Sequence, residues 1–457
     1  MIKHALIKHA VWVLALAIFS QLALGAEKSV ARRPNLLVFI TDDQGYGDVG
    51  CYGCQDIPTP NIDGLAAEGV RMTSGYVVAP LCSPSRAGFL TGRYHNRFGL
   101  VDNRLGESKT GGMDLKEKTI ADVLGSAGYA TGLLGKWHEG RGANGEFLPV
   151  KRGFQEFYGY YGAFGQYFPK KMIRGEQEVA ETEYCSDAYA REACAFIEKH
   201  KDKPFFLNVA FNAPHYVMQA KPALKERFKD IPNELRRTYA AVITSLDEAV
   251  GRVMAKLKET GLDQDTLVVF ISDNGDGGAP PYGGSNKPLR GGKSQLFEGG
   301  IRTPQIWRWS GVLPKGKVYD EPVISMDIMA SAVAAAGLTA PAPLDGVNVV
   351  PYLKGEKTGA PHEFLFWKFG GRGVVRRGNW KLMMGESAGG KMELYDLAAD
   401  ISEANNVAEQ HGEIVTDLKK AYVDWNSQLP PPVKIPQDPA AIDKKTTIPA
   451  GEKDKQK

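Results

Sequence analysis

The run NLLVFITDD (35–43) returns far down the chain as TLVVFISDN (266–274). Each is an unbroken apolar stretch rich in β-branched residues that stops at carboxylate or amide side chains. Without polar alternation, both faces of such a strand must be buried, which is the condition of a parallel sheet covered by helices on either side. The chain between them supplies the cover. TPNIDGLAAEGVRM (59–72) carries Ile62, Leu65 and Ala66 on one helical face, and Gly69 ends it. TIADVLGSAGY (119–129) predicts a second helix leading into a strand over ATGLLGKWH (130–138). PFFLNVAFN (204–212) predicts a further buried strand, and the stretch from Tyr239 to Gly261 aligns Val242, Leu246, Val250 and Leu257 on one stripe. Strands spaced by helices imply an α/β fold with a large doubly wound mixed or parallel sheet flanked by helices. A hydrophobic content of 43% fills such a core without help from disulfides.

After about residue 355 the texture changes. HEFLFWKF, RGVVRRGNWKLMM and KMELYDL predict three short antiparallel strands, and 411–427 a helix that packs Ile414, Leu418, Ala421 and Trp425. The expected organisation is a leader over 1–25, a main α/β domain over 26–354, a small C-terminal antiparallel sheet with one helix over 355–428, and a Pro- and Lys-rich disordered tail over 429–457.

The leader has Lys3 and Lys8, an apolar run from Val11 to Leu24, and small residues at Ala23, Gly25 and Ala26. The run falls short of the roughly 20 residues that span a bilayer, so a cleaved signal peptide is favoured over a membrane anchor. No asparagine lies in an Asn-x-Ser/Thr acceptor, which fits a bacterial periplasmic or secreted protein. Losing Lys3 and Lys8, with no acid among the same residues, takes the net charge from +3 to +1. Global charge therefore gives no support to nucleic acid or an anionic membrane as partner.

Five cysteines is an odd count for an oxidising compartment. Cys51 and Cys54 form CYGC without a thioredoxin-like βαβ frame, so they are read as a structural disulfide or two plain thiols. With Cys185 and Cys194 they allow three pairings, and Cys82 is left over.

Open parallel sheets bind ligands at the carboxyl ends of their strands. Asp42, Asp43, Asp273 and Asn274 end the two matching runs and are expected to converge there as a hard-oxygen site suited to Ca²⁺ or Mg²⁺. Lys136 and His138 in GKWHEG, His215 in NAPHYV and Lys293 in RGGKSQLFEGG share the same edge. With Arg86 they would surround an oxyanion, either sulfate or phosphate.

The cysteine left over sits in LCSPSRAGFLTGRY (81–94). From Cys82 this stretch resembles the C-x-P-S-R-x-x-x-L-T-G-R signature of the formylglycine-dependent (type I) sulfatases of the alkaline-phosphatase-like superfamily. The resemblance extends to PNLLVFITDDQGYGDVGCYG, TPNIDGLAAEGV, GYATGLLGKWH, SDNG, LRGGKSQLFEGGIRTP and ELYDLAADISEANNVA, in family order. It implies that Cys82 is oxidised to formylglycine by a formylglycine-generating or anaerobic sulfatase-maturating enzyme, with Ser83, Pro84 and Arg86 as part of the recognition tag. The hydrated aldehyde is a diol: one hydroxyl attacks sulfur, and deprotonation of the other expels sulfate without water attacking sulfur.

The resemblance also distributes roles. Asp42, Asp43, Asp273 and Asn274 match the metal ligands, joined by an oxygen at position 82; the metal is usually Ca²⁺, with Mg²⁺ the alternative. Arg86 and Lys136 match groups that hold the diol, and His138 matches the acceptor of its proton. His215 and Lys293 match groups at the leaving oxygen, with His215 as general acid. The local loop departs from the pattern, since PHYVMQA lacks the proline expected soon after PH.

The implied activity is hydrolysis of sulfate esters, most naturally on a sulfated carbohydrate. The alternatives are a phosphate ester hydrolase of the same superfamily and a non-catalytic glycan-binding relative. Tyr158, Tyr160, Tyr161, Phe164 and Tyr167 in EFYGYYGAFGQYF (156–168) either stack on sugar rings or pack a glycine-rich loop. Arg372, Arg376 and Arg377 either contact further sulfates or form a solvated strand edge. His95 either lines the cleft or serves the structure.

Overall fold

The computed structural model describes residues 33–433 apart from 104–107, 109–110, 341–342 and 386–391. The predicted leader and residues 434–457 of the predicted tail lie outside the described residues. The two matching runs are neighbours: β1 (Asn35–Thr41) and β9 (Thr266–Ser272) pair in parallel, with Asn35 level with Thr266 and Thr41 level with Ser272. Every residue of both is buried. A period of two is hidden inside the apolar run. Leu37 and Phe39 join one core with the helices Cys185–Lys199 and Glu234–Glu259. Leu36, Val38 and Ile40 join another with the helices Ile120–Ser126 and Asp327–Ala335.

On the other side of β1 lies β8 (Phe205–Ala210), then β4 (Ala130–Lys136) and β5 (Glu156–Tyr160), all parallel. Antiparallel pairing begins outside this block. β10 (Gln305–Arg308) runs against β9 and leads out to β2 (Val70–Met72) and β11 (Lys317–Tyr319). β6 (Lys171–Arg174) runs against β5 and carries β7 (Gln177–Ala180) at the far edge. The result, among the described residues, is a mixed sheet of ten strands, consistent with the large mixed or parallel sheet that the sequence predicts. Local chemistry agrees with the placement. Thr119 and Asp122 form a reciprocal capping box on the helix Ile120–Ser126, and Asn233 caps the long helix Glu234–Glu259.

Two residues each of β3 (Gly75–Tyr76) and β12 (Val323–Ile324) make a small separate ribbon. The C-terminal sheet has four antiparallel strands where three are expected: β13 (Leu365–Phe369), β14 (Arg372–Arg377), β15 (Trp380–Gly385) and β16 (Glu393–Asp396). The extra strand arises because RGVVRRGNWKLMM doubles back at Gly378-Asn379, putting Arg377 opposite Trp380. Gly378 supplies the left-handed φ of +53° that a two-residue hairpin loop demands. The helix Gly412–Asn426 buries Leu418 and Trp425 against this sheet.

A buried ionic cluster fastens the small sheet to the rest. Lys381 of β15 sets its Nζ 2.8 Å from Glu298 Oε1 and 2.8 Å from Glu403 Oε1. Tyr76 donates to Glu298 Oε2 at 2.5 Å, Arg302 approaches the same oxygen at 3.2 Å, and Arg376 donates to the Tyr76 hydroxyl. Arg376 is thus neither a sulfate contact nor a solvated edge: it is buried, with its guanidinium over the Tyr76 ring. Arg377 pairs with Asp417 of the last helix. All five cysteines are free thiols.

Candidate active site

The register of β1 against β9 delivers four side chains to one point. Asp273 N–H donates to the Thr41 carbonyl at 3.0 Å, Asp43 N–H to Asp273 Oδ1 at 3.2 Å, and Asn274 Nδ2 to Asp43 Oδ1 at 2.7 Å. Asp42, Asp43, Asp273 and Asn274 are all buried. Asp43 holds a left-handed φ of +65°, a costly conformation for a residue with a Cβ and one that recurs where function demands it.

Cys82 opens the helix Cys82–Thr91, all ten residues of which are buried. Leu81 offers no side-chain cap, so the partial positive charge of the helix start faces the site; Asn103 Oδ1 takes the Ser83 N–H at 3.0 Å. Cys82 Sγ lies 3.5 Å from Asp42 Oδ1, 3.9 Å from Asp43 Oδ1 and 3.3 Å from Lys293 Nζ. Burial pushes this thiol up, but Lys136 and Lys293 outweigh it and bring the pKa down to about 7.

The cations interleave with the acids. Arg86, one turn along the same helix, donates to Asp273 Oδ2 from Nε at 2.9 Å and places Nη2 at 2.8 Å. Lys136, the last residue of β4, puts Nζ 2.7 Å from Asp42 Oδ2. Lys293 puts Nζ 2.7 Å from Asp43 Oδ2 and 3.3 Å from His215 Nε2. His215 Nε2 lies 3.5 Å from Asp43 Oδ2, while Nδ1 contacts the Tyr216 carbonyl.

The two histidines are pushed in opposite directions. Burial lowers His215, yet Asp43 and Asp42 raise it more, which favours a proton on the ring. His138 is lowered well below the usual value by burial and by Lys136 and Arg86, and neither ring nitrogen has a hydrogen-bond partner. The surroundings thus favour a protonated ring at His215 and a neutral ring at His138.

The acids diverge too. Burial raises Asp42, and burial with the Asp42 charge pushes Asp273 up to about 6. Asp43 is held low because Lys293, His215 and Lys136 overcome burial. Carboxylates gathered this closely fit a hard divalent cation, and so does the Asn274 Oδ1 atom, buried without a hydrogen-bond partner. Ligand atoms of Asp42, Asp43, Cys82 and His215 lie within 4.8 Å of one another. Asp273 and Asn274 stand beside this group, the former engaged by Arg86. The ten residues expected for catalysis and metal binding, Asp42, Asp43, Cys82, Arg86, Lys136, His138, His215, Asp273, Asn274 and Lys293, meet at this edge of the sheet.

Two buried groups, Gln44 and Glu139, and the half-buried Asn103 accompany them without being marked out by the sequence. Gln44 leaves both amide atoms unpaired. Glu139 leaves both carboxylate oxygens unpaired and is pushed well above the usual range by burial. Asn103 holds the start of the helix. Glu139 is visible in GKWHEG next to His138, but a single acid carries no spacing signal. His95 serves the structure: it is buried, its Nδ1 lies 2.5 Å from the Leu100 carbonyl, and burial pushes its pKa down to about 4.

Comparison with known proteins points one way. The sulfatase family model matches residues 34–338, and a model of the N-sulphoglucosamine sulphohydrolase C-terminal region matches residues 292–428. Human arylsulfatase A is 36% identical over 377 residues, covering 76% of this chain and 72% of that protein. The dog N-acetylgalactosamine-6-sulfatase is 34% identical over 378 residues, covering 74% and 69%. Among solved structures, Ps i-CgsB in complex with k-i-k-neocarrahexaose superposes with a TM-score of 0.83 at 33% identity, covering 90% of this chain and 97% of that one.

Proposed function

Because this chain belongs to the sulfatase family and is a sulfuric ester hydrolase, we propose that it is secreted and removes sulfate from a carbohydrate. In this reading the nucleophile is formylglycine made from Cys82, with Ca²⁺ or Mg²⁺ held by Asp42, Asp43, Asp273, Asn274 and an oxygen at position 82. One observation carries it: Cys82 Sγ stands at the helix start, 3.3 Å from Lys293 Nζ and 3.5 Å from Asp42 Oδ1, inside the CSPSR motif. The sulfur marks where a hydroxyl of the hydrated aldehyde would stand.

A divalent cation bound there supplies a Lewis acid that polarises the sulfate and eases loss of the hydroxyl proton at position 82. The protein's own groups do the rest. Arg86 and Lys136 pin Asp273 and Asp42 and screen negative charge around position 82. His138, neutral and unpaired, accepts the proton whose loss expels sulfate. His215, biased toward its protonated form by Asp43 and Asp42, gives a proton to the departing alcohol, with Lys293 beside it to stabilise the sulfate oxygens.

Secretion rests on the leader sequence, and no helix among the described residues is long and apolar enough to cross a membrane. The carbohydrate rests on Ps i-CgsB, whose structure contains an oligosaccharide, and on the N-acetylgalactosamine-6-sulfatase match. The partner for maturation is a formylglycine-generating or anaerobic sulfatase-maturating enzyme. The test is sulfate release from sulfated oligosaccharides and an aryl sulfate, with an aryl phosphate in parallel, by protein co-produced with such an enzyme. Sulfate release with little phosphate release is expected; preferential phosphate release would overturn the reading.

A further inference from the structure

The aromatic segment 156–168 divides sharply by exposure. Tyr158, Tyr161 and Tyr167 are buried and belong to the core. Phe168 is 46% exposed and lies edge-on to Tyr184, and Phe164, at 59%, is the most exposed of the segment's large apolar rings. Its ring meets His215 edge-on at 5.1 Å and Tyr216 at 6.1 Å. Tyr216 stacks on the imidazole, its ring centroid 5.3 Å from that of His215 at an interplanar angle of 18°. Tyr282 meets Tyr216 at 5.2 Å and 70°.

Rings from three separate loops, following β5, β8 and β9, thus gather beside one histidine: Phe164 and Tyr216 meet His215, and Tyr282 meets Tyr216. That histidine points its Nε2 at Lys293 and Asp43, where the ester oxygen departs in the proposed reaction. The alcohol attached to that oxygen has to lie against whatever surrounds His215. The surroundings are amphipathic: one exposed hydrocarbon face from Phe164 and two half-buried tyrosines that add phenol hydroxyls. A pyranose has the matching character, with an apolar face of C–H groups and a rim of hydroxyls.

We propose that Phe164, Tyr216 and Tyr282 form the subsite for the alcohol half of the ester, with the sulfated pyranose stacked on Phe164. The proposal rests on the sulfatase reading and adds which residues select the sugar. It also explains why an exposed phenylalanine is held edge-on against a catalytic histidine. Ring packing fixes the His215 imidazole and at the same time sets the floor on which the sugar lies.

The test uses the full chain produced without a maturating enzyme, which keeps Cys82 as a thiol and binds without turnover. Calorimetry with neocarrahexaose and with 6-sulfated N-acetylgalactosamine oligosaccharides gives the dissociation constant. Phe164→Ala is expected to raise Kd about five- to tenfold, the worth of one aromatic stacking contact, and Phe164→Trp to restore it. Tyr216→Phe with Tyr282→Phe is expected to weaken binding about threefold or more by removing the hydroxyls, the loss of a modest hydrogen bond or two. A Kd within twofold of wild type in Phe164→Ala would overturn the subsite. So would failure of the wild-type chain to bind either sugar. Failure of the sulfatase reading registers elsewhere, as absence of sulfate release from every ester by the matured enzyme, so the two are separable.

Discussion

Lys381 offers a sharp test of how the small C-terminal sheet is joined to the large domain. Its Nζ lies 2.8 Å from both Glu298 Oε1 and Glu403 Oε1, and all three side chains are 0% exposed. Burial pushes Glu298 up, but Lys381, Arg302 and Arg376 overcome it and hold the carboxyl down at about 2. Lys381→Met leaves two buried carboxylates facing each other, and stripping one partner from a buried pair costs about 3–5 kcal/mol. Unfolding entropy of about 2.1 cal/mol/K per residue over roughly 400 residues comes to about 0.8 kcal/mol/K, so the melting temperature should fall by about 4–6 °C. Scanning calorimetry reads this directly. Adding Glu403→Gln to the lysine variant removes one orphaned charge and should recover about half of the loss. A fall of less than about 1 °C, or no recovery in the double variant, would refute the assignment of the cluster as a charged clasp.

Other outcomes follow from the same structure. His95 has a folded pKa of about 4 against an unfolded value of 6.5, so the unfolded chain takes up the proton first. The stability it contributes is present above pH 6.5 and is lost as pH falls toward 4, by up to about 3 kcal/mol. His95→Gln should flatten the pH dependence of the melting temperature in that window. Removing divalent metal with a chelator should abolish sulfate release, and Ca²⁺ at about 100 times its Kd should restore activity and add about 2.7 kcal/mol of stability; full activity in the chelator would count against the Asp42, Asp43, Asp273 and Asn274 site. His215→Gln should lower kcat by about 10²–10⁴ on alkyl sulfates and much less on an aryl sulfate with an acidic phenol, since only the former needs a protonated leaving group. Equal losses on both would remove His215 from the role of general acid.

The parts of the fold legible in sequence are those written as local pattern. NLLVFITDD and TLVVFISDN announce buried strands through missing alternation, and their terminal acids land together because equal strand lengths in parallel register end level. Cys82, Arg86, Lys136 and Lys293 were legible through motif and strand-end position. What sequence did not reveal depends on partners far along the chain. Arg376 looks like a surface charge until Tyr76 and Glu298 are brought to it by the folding of the C-terminal sheet. The fourth C-terminal strand is not legible in sequence because Gly378-Asn379 is a two-residue turn inside an otherwise continuous run. Seven aromatics in one segment give no sign which face solvent; of the exposed Phe164 and Phe168, Phe164 is distinguished by where His215 and Tyr216 lie. Glu139 carries no repeat, spacing or composition that separates it from an ordinary loop acid.

Sulfate release in the proposed reaction depends on conversion of Cys82 to formylglycine. The tryptic peptide from Met72 to Arg86 contains this residue and no other cysteine. Its mass is compared in protein made with and without a formylglycine-generating enzyme. The expected peptide is about 18 mass units lighter than the thiol form, the change from thiol to aldehyde, in the protein that releases sulfate. An intact thiol in a sample that hydrolyses sulfate esters, made alongside a competent converting enzyme, would contradict it.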